Sequence, residues 1–302
     1  MTRAGLIWNP KSHRNKGAGR ASLPPGVLDI VPEHPAQLFQ DLQRFASEGI
    51  DLVVIDGGDG TVREVISRLP EAFAGRLPRL GVVPNGRTNA LAIDIGVPLG
   101  TSLEHLLAAA DAGRPIKRRA CIEIIRRGNP SVEQRGFLFG LGAFVRATKL
   151  AQKNHGLGLF DSTAIAFTIA GAATQTLLGG PTNPWRRGEA VDVSFTGEGS
   201  RDWFLVLAST LKRFPLNLKP FGTPREGLKV LSIEAPARWL ARAVPPLLTG
   251  ADAPWLKSCG VRRDDLEAFD LSFAGDFVLD GEPGRGGDLT LRKGLEFEFV
   301  IP

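Results

Sequence analysis

Two patterns of apolar positions alternate along the first 115 residues. In "AGLIWN" (4–9), "DLVVID" (51–56) and "RLGVVP" (79–84) the apolar residues run together, as they do in strands buried on both faces. "GVLDIV" (26–31) is a further short strand candidate. Between these runs the spacing changes. Leu38, Leu42 and Phe45 recur at helical intervals before Gly49, and Val62, Val65, Ile66 and Leu69 do the same behind a glycine-rich turn. "TSLEHLLAAADAG" (101–113) predicts a third helix, opened by a Thr/Ser cap and closed by Gly113. Strands alternating with helices predict a parallel α/β sheet.

Beyond Arg114 the period falls to two. "KRRACIEIIRRG", "QRGFLFGLGAFVRA", "AVDVSFTG", "RDWFLVLAST", "LKVLSIEA", "FDLSFAGDFVLDG", "DLTLRKG" and "LEFEFVIP" all read as strands separated by turn residues. In the last of them Leu295, Phe297 and Phe299 share one face. Helices are expected near 161–178 and 237–249. The pattern predicts an α/β N-terminal domain with a parallel sheet, residues 1–116, and a mostly antiparallel β-sandwich C-terminal domain, residues 117–302.

Composition narrows the class. The 302 residues are 43% hydrophobic and 23% charged, as in a soluble globular protein, and the net charge of +5 suits anionic partners. Two cysteines, Cys121 and Cys259, in no metal-ligand spacing fit a reducing cytosol, and His13, His34, His105 and His155 show no ligand spacing either. Residues 162–180 carry no charge, yet their threonines and glycines suit an amphipathic or buried helix better than a membrane span. No transmembrane segment and no nucleic-acid-binding module are expected.

The candidate chemistry sits in loops. In an open α/β sheet, ligands collect beyond the carboxyl ends of the strands. "NPKSHRNKG", "GGDGT" and "NGRTN" leave that edge, with Lys11, Arg14, Lys16 and Arg87 among them. Glycine turns at helix starts present free N–H groups to phosphate, and Asp59 inside one of them has two readings. It caps a helix, or it faces a cation that lies against the phosphates. No P-loop, no G-x-G-x-x-G turn and no protein-kinase motif set is present. Near the C-terminus, "LDGE" (279–282) reads as a hairpin turn. If the extended geometry continues through Gly281, it instead points Asp280 and Glu282 the same way.

Taken together and in order, "NPKS", "GGDGT", "P-x-G-x-T-N-x-L-A" and "LDGE" resemble the diacylglycerol kinase catalytic-domain family, the soluble lipid kinases that include sphingosine and ceramide kinases. The resemblance implies ATP bound in an interdomain cleft. Asn9, Gly57, Gly58, Asp59, Gly60 and Thr61 would meet its phosphates, and Gly86, Arg87, Thr88 and Asn89 would help hold it. It implies Mg²⁺, with Asp59 and Glu226 as metal-site candidates. It implies Glu282 as the proton acceptor for the lipid hydroxyl, with Asp280 and Asp59 also catalytic. Four positions depart from the family pattern: Arg87 replaces a threonine, His13 a glycine, Glu226 an aspartate and Phe144 an aspartate.

A lipid substrate would be met at a membrane surface. "LKRFPLNLKPF" (211–221) and "ARWLARAVPPLL" (237–248) interleave basic and apolar residues as such a surface requires. The expected location is cytoplasmic and peripheral at the inner membrane face, and a homodimer is compatible with the chain. The alternatives are an NAD kinase-like enzyme, which shares "GGDGT", and a catalytically degenerate lipid- or nucleotide-binding protein.

Overall fold

A computed structural model describes all residues except 1, 18, 20, 21, 154–187, 197–199, 224 and 238. The helix expected at 161–178 lies outside the described residues. The chain divides into two compact units, residues 1–120 with 296–302, and residues 121–295.

The first unit is α/β. Its strands are β1 (Ala4–Trp8), β2 (Leu28–Ile30), β3 (Leu52–Gly57) and β4 (Arg79–Pro84). They lie in the order β2–β1–β3–β4, all parallel. The final strand of the chain, β13 (Glu282–Val300), adds Phe299 beside Leu80 of β4, again parallel. Residues 52–55 are fully buried, which explains the unbroken apolar run of β3. Helix α1 (Pro35–Ser47) is capped by His34, whose Nδ1 accepts the Gln37 amide, and buries Leu38, Leu42 and Phe45. Helix α2 (Asp59–Ala72) buries Val62, Val65, Ile66 and Leu69, the residues picked out by spacing. The short α3 (Ala90–Ile95) follows β4, and α4 (Leu103–Asp111) begins with a capping box between Ser102 and His105. Val300 joins Leu6, Leu52, Val54 and Leu106 in one core cluster.

The second unit is mostly antiparallel β. It holds β5 (Ile116–Arg126, from Cys121 onward), β6 (Val132–Gly136), β7 (Leu138–Gly142), β8 (Glu189–Val193), β9 (Arg201–Ser209), β10 (Leu228–Glu234), β11 (Val261–Leu266), β12 (Ala268–Leu279) and most of β13. The order β11–β10–β9–β7–β12–β13 is antiparallel throughout, and β8 bridges β9 and β12. Trp203, Phe139, Phe277 and Leu271 lie in its core, with the Phe139 and Phe277 rings 5.2 Å apart. One ionic cluster is buried in it. Glu123 accepts from Arg135 Nε at 3.1 Å and from Arg292 Nη2 at 2.7 Å, and the Glu123 and Arg135 side chains are almost fully covered.

Two expectations for this unit need correction. "AFVRA" is the start of a helix, α5 (Ala143–Lys153), and not the end of a strand. Gly142, at φ +70°, turns the chain out of β7 first. "DLTLRKG" and "LEFEFVIP" form one continuous strand, because Gly294 marks a close approach and not a turn. A Cβ there would stand 2.2 Å from Glu123 Cγ. Leu295 is also exposed, while Phe297 and Phe299 are buried as the alternation requires.

Candidate active site at the strand ends of the first unit

Three polar residues follow the apolar runs at one edge of the sheet: Asn9 after β1, Asp56 in β3 and Asn85 after β4. Asp56 Oδ1 accepts both Asn15 Nδ2, at 2.8 Å, and Asn85 Nδ2, at 2.7 Å. Asn15 Nδ2 also donates to the Asn9 carbonyl at 3.0 Å. Asn9 Nδ2 donates to Thr61 Oγ1 at 2.8 Å, which joins the first loop to α2. Burial pushes the Asp56 carboxyl above the usual aspartate range, and the two asparagine bonds pull it back. Asn15, Asp56 and Asn85 were not singled out from the sequence. The signal available for Asp56 was a charged residue closing a fully buried strand.

The two glycine turns press on each other. A Cβ on Gly86 would stand 2.3 Å from Gly58 Cα, and one on Gly58 would stand 2.8 Å from Gly86 Cα. A Cβ on Gly57 would strike Thr61 Oγ1 at 2.6 Å. Gly58 and Gly86 are therefore required by backbone packing, and Gly57 by the Thr61 side chain, before any ligand is considered. Asn89 closes the second turn. Its Oδ1 accepts the Gly86 amide at 2.9 Å and its Nδ2 donates to the Gly86 carbonyl at 3.1 Å. That leaves Asn89 in the left-handed region, φ 52°, with no side-chain oxygen free to cap α3.

Asp59 supplies that cap from the other turn. Its Oδ2 accepts the Ala90 amide at 3.0 Å and its Oδ1 the Leu91 amide at 3.1 Å. It sits in the first turn of α2, but the helix it caps is α3, one βα unit later. Burial raises its pKa, and the backbone amides oppose the rise. Both carboxylate oxygens are turned onto α3, as a cap requires.

Asn9, Gly57, Gly58, Asp59, Thr61, Gly86 and Asn89 are thus brought together by contacts, and Gly60 lies in the first turn of α2. Arg87 is exposed and Thr88 half-buried on the same turn. The arrangement suits a phosphate. Gly58 and Gly60 place backbone N–H groups at the start of α2, where a helix favours negative charge. Among the described residues no group of three or more His, Cys, Asp or Glu could hold a metal ion.

Glu226, Asp280 and Glu282 belong to the second unit. The Glu226 side chain is 91% exposed, with Lys212 Nζ at 3.7 Å as an ion-pair partner. Asp280 and Gly281 form a two-residue hairpin between β12 and β13, at φ 49° and 87°. The extended geometry that would align Asp280 with Glu282 is therefore interrupted. The Asp280 carboxylate accepts the amides of Phe137, at 3.0 Å, and Leu138, at 2.8 Å, so it pins the β6–β7 corner. Gly136 makes room for it, since a Cβ there would stand 2.6 Å from Asp280 Oδ2. Glu282 is exposed at the first position of β13 and paired in register with Leu279. Phe144, where an aspartate was expected, packs over Gly140.

Residues 3–118 match the diacylglycerol kinase catalytic domain. A "Probable lipid kinase YegS-like" of Citrobacter koseri is 36% identical over 80 residues, 25% of this chain and 26% of that protein. A "Diacylglycerol kinase" of Bacillus subtilis (strain 168) is 31% identical over 133 residues, 37% of each chain. Both alignments thus leave most of the relative's length unmatched. The crystal structure of a diacylglycerol kinase from Bacillus anthracis str. Sterne covers 99% of this chain and 97% of its own, with TM-score 0.61 and 15% identity. Two further structures from that strain reach 0.67 and 0.66, and at this identity the likeness speaks for the fold. No helix among the described residues is long and apolar enough to cross a membrane. The match to the diacylglycerol kinase catalytic domain thus spans residues 3–118 and includes both interlocked glycine turns.

Proposed function

We propose that the protein is a lipid kinase that transfers the γ-phosphoryl group of ATP to a hydroxyl of diacylglycerol or a similar lipid. The observation that carries this reading is the paired turn, in which Gly58 and Gly86 touch backbone to backbone while Asp59 locks α3 across them. ATP, arriving as its magnesium complex, supplies the phosphoryl group with part of its charge neutralised. The chain's own part is to hold the phosphates on the amides at the start of α2, with Asn9 and Thr61 fixing the loop beside them. Lys11, Arg14, Lys16 and Arg87 raise the local positive potential. Glu282 takes the proton of the lipid hydroxyl, a role open to an exposed carboxylate that makes no ion pair among the described residues. Asp59 and Asp280 act as positioning residues in this scheme, since their oxygens are committed to backbone amides.

The test is incubation with ATP labelled on the γ-phosphate, magnesium and a total lipid extract, with NAD offered as a competing acceptor. Label in a lipid supports the proposal. Label in NAD replaces it with the NAD kinase-like reading, and nucleotide binding without transfer replaces it with a degenerate binding protein.

A further inference from the structure

Two apolar side chains of the second unit stand out in water. Trp239 is 73% exposed and Leu216 is 55% exposed. Both are held in the left-handed backbone region, at φ 53° and 58°, which side chains other than glycine adopt at a cost. Neither is buried in return. A strained backbone that displays a large apolar group outward points to a partner and not to the core.

The two residues belong to one knitted surface. Arg263 binds both segments, donating from Nε to the Pro220 carbonyl at 3.0 Å and from Nη2 to the Pro246 carbonyl at 3.1 Å. The Lys219 amide donates to the Leu248 carbonyl at 2.9 Å. Phe214 and Phe221 pack ring to ring beneath the first segment and are buried, so Leu216 is a tip on a firm base. Behind Trp239, in the helix Leu240–Thr249, Arg242 and Pro245 face outward while Ala243 and Leu247 are buried. Arg242 lies over the Trp255 ring, 5.0 Å from its centroid.

Charge selects the partner. Residues 211–223 contain Lys212, Arg213 and Lys219, residues 236–250 contain Arg238 and Arg242, and neither stretch contains an aspartate or glutamate. An apolar protein interface would be broad and nearly uncharged at its centre. Here isolated tips, one of them tryptophan, stand among Lys212, Arg213, Lys219, Arg242 and Arg263, against the two carboxylates Glu226 and Asp252, so the field is basic on balance. That is the composition that enters the interfacial layer of an anionic bilayer. We propose that residues 211–222 and 239–250 form a docking surface for an anionic lipid bilayer, with Trp239 and Leu216 as the inserted tips. The surface is independent of the phosphoryl-transfer reading, and it would also serve a lipid kinase by bringing it to its substrate.

The test is co-sedimentation of the full chain with vesicles of phosphatidylcholine alone and with about one third phosphatidylglycerol, at low and high salt. Binding is expected only to the anionic vesicles, weakening as salt rises. The double variant Trp239→Ala, Leu216→Ala should lose at least about tenfold in partitioning with an unchanged melting temperature, because both side chains are exposed. Lys219→Glu should lose roughly fivefold. Brominated lipids should quench tryptophan fluorescence in the native chain and lose most of that quenching in Trp239→Phe. Absence of anionic-vesicle binding overturns the proposal, as does binding that the double variant leaves intact. A dimer in solution that the double variant dissociates would assign the surface to a second copy and also overturn it. Kinase activity on detergent-dispersed lipid does not depend on this surface, so failure of the proposed function is read separately.

Discussion

Removing the Asp59 carboxylate separates a structural cap from a metal ligand. In Asp59→Ala, the amides of Ala90 and Leu91 lose their acceptors, and both residues are buried. Each stranded buried donor costs about 1–3 kcal/mol. Against this stands a gain, since the native carboxylate is itself held at a cost that raises its pKa. A net loss of about 2–4 kcal/mol follows. That lowers the melting temperature of a unit of this size by roughly 5–15 °C. Asp59→Asn keeps one acceptor and removes the buried charge, so it should lose less than half as much. The pH dependence has a definite sign. A raised folded-state pKa means that the native protein's stability from this group falls as pH rises from the ordinary aspartate value through the folded one. Asp59→Asn lacks that fall, so its stability relative to the native chain should improve as pH rises above the ordinary aspartate value, about 4. Thermal melts across that range, with amide hydrogen exchange at Ala90 and Leu91, provide the assay. An alanine variant with native melting temperature and native exchange at those amides, but weakened magnesium–nucleotide binding, would refute the cap and restore the metal role.

Other outcomes follow from the same contacts. Gly86→Ala puts a Cβ against the Gly58 backbone, so it should cost about 1–3 kcal/mol in a denaturant melt and abolish nucleotide binding by calorimetry. Glu282→Gln should lose turnover with stability and nucleotide affinity unchanged, and native activity in that variant would remove Glu282 from the reaction. Asp280→Ala frees the Phe137 and Leu138 amides and should lower stability by about 1–3 kcal/mol, with faster exchange at those two positions. Glu123→Gln removes the charge from the buried bridges to Arg135 and Arg292 and should lower stability by about 1–3 kcal/mol in a urea melt.

The α/β order, the helix faces and the glycine turns could be read from the chain because they rest on local spacing and on residue types with few uses. The direction of a side chain across a gap could not. Asp59 looked like a cap for the helix it begins, or a metal ligand, and it caps a helix about thirty residues onward. The sequence contains no trace of that distance. Glycine misled twice for one reason: its absent Cβ serves turns and close approaches equally. Gly142 is a turn that ended a strand early, and Gly294 is a close approach that looked like a turn. "LDGE" carried two readings, and the backbone adopts the hairpin, with Asp280 holding the neighbouring corner. Asp56 was overlooked because it stands directly before the more conspicuous glycines.

The return of residues 296–302 to the first unit bears on how the molecule is made. As the chain leaves the ribosome, β1 to β4 and their helices emerge early, but the outer rim of β4 has no neighbour until Phe299 arrives, more than two hundred residues later. Phe297 and Val300 are late as well, and both end up buried. Throughout that interval an apolar flank of the nascent unit stays open to stray pairing. Producing residues 1–120 alone would make that temporary exposure permanent.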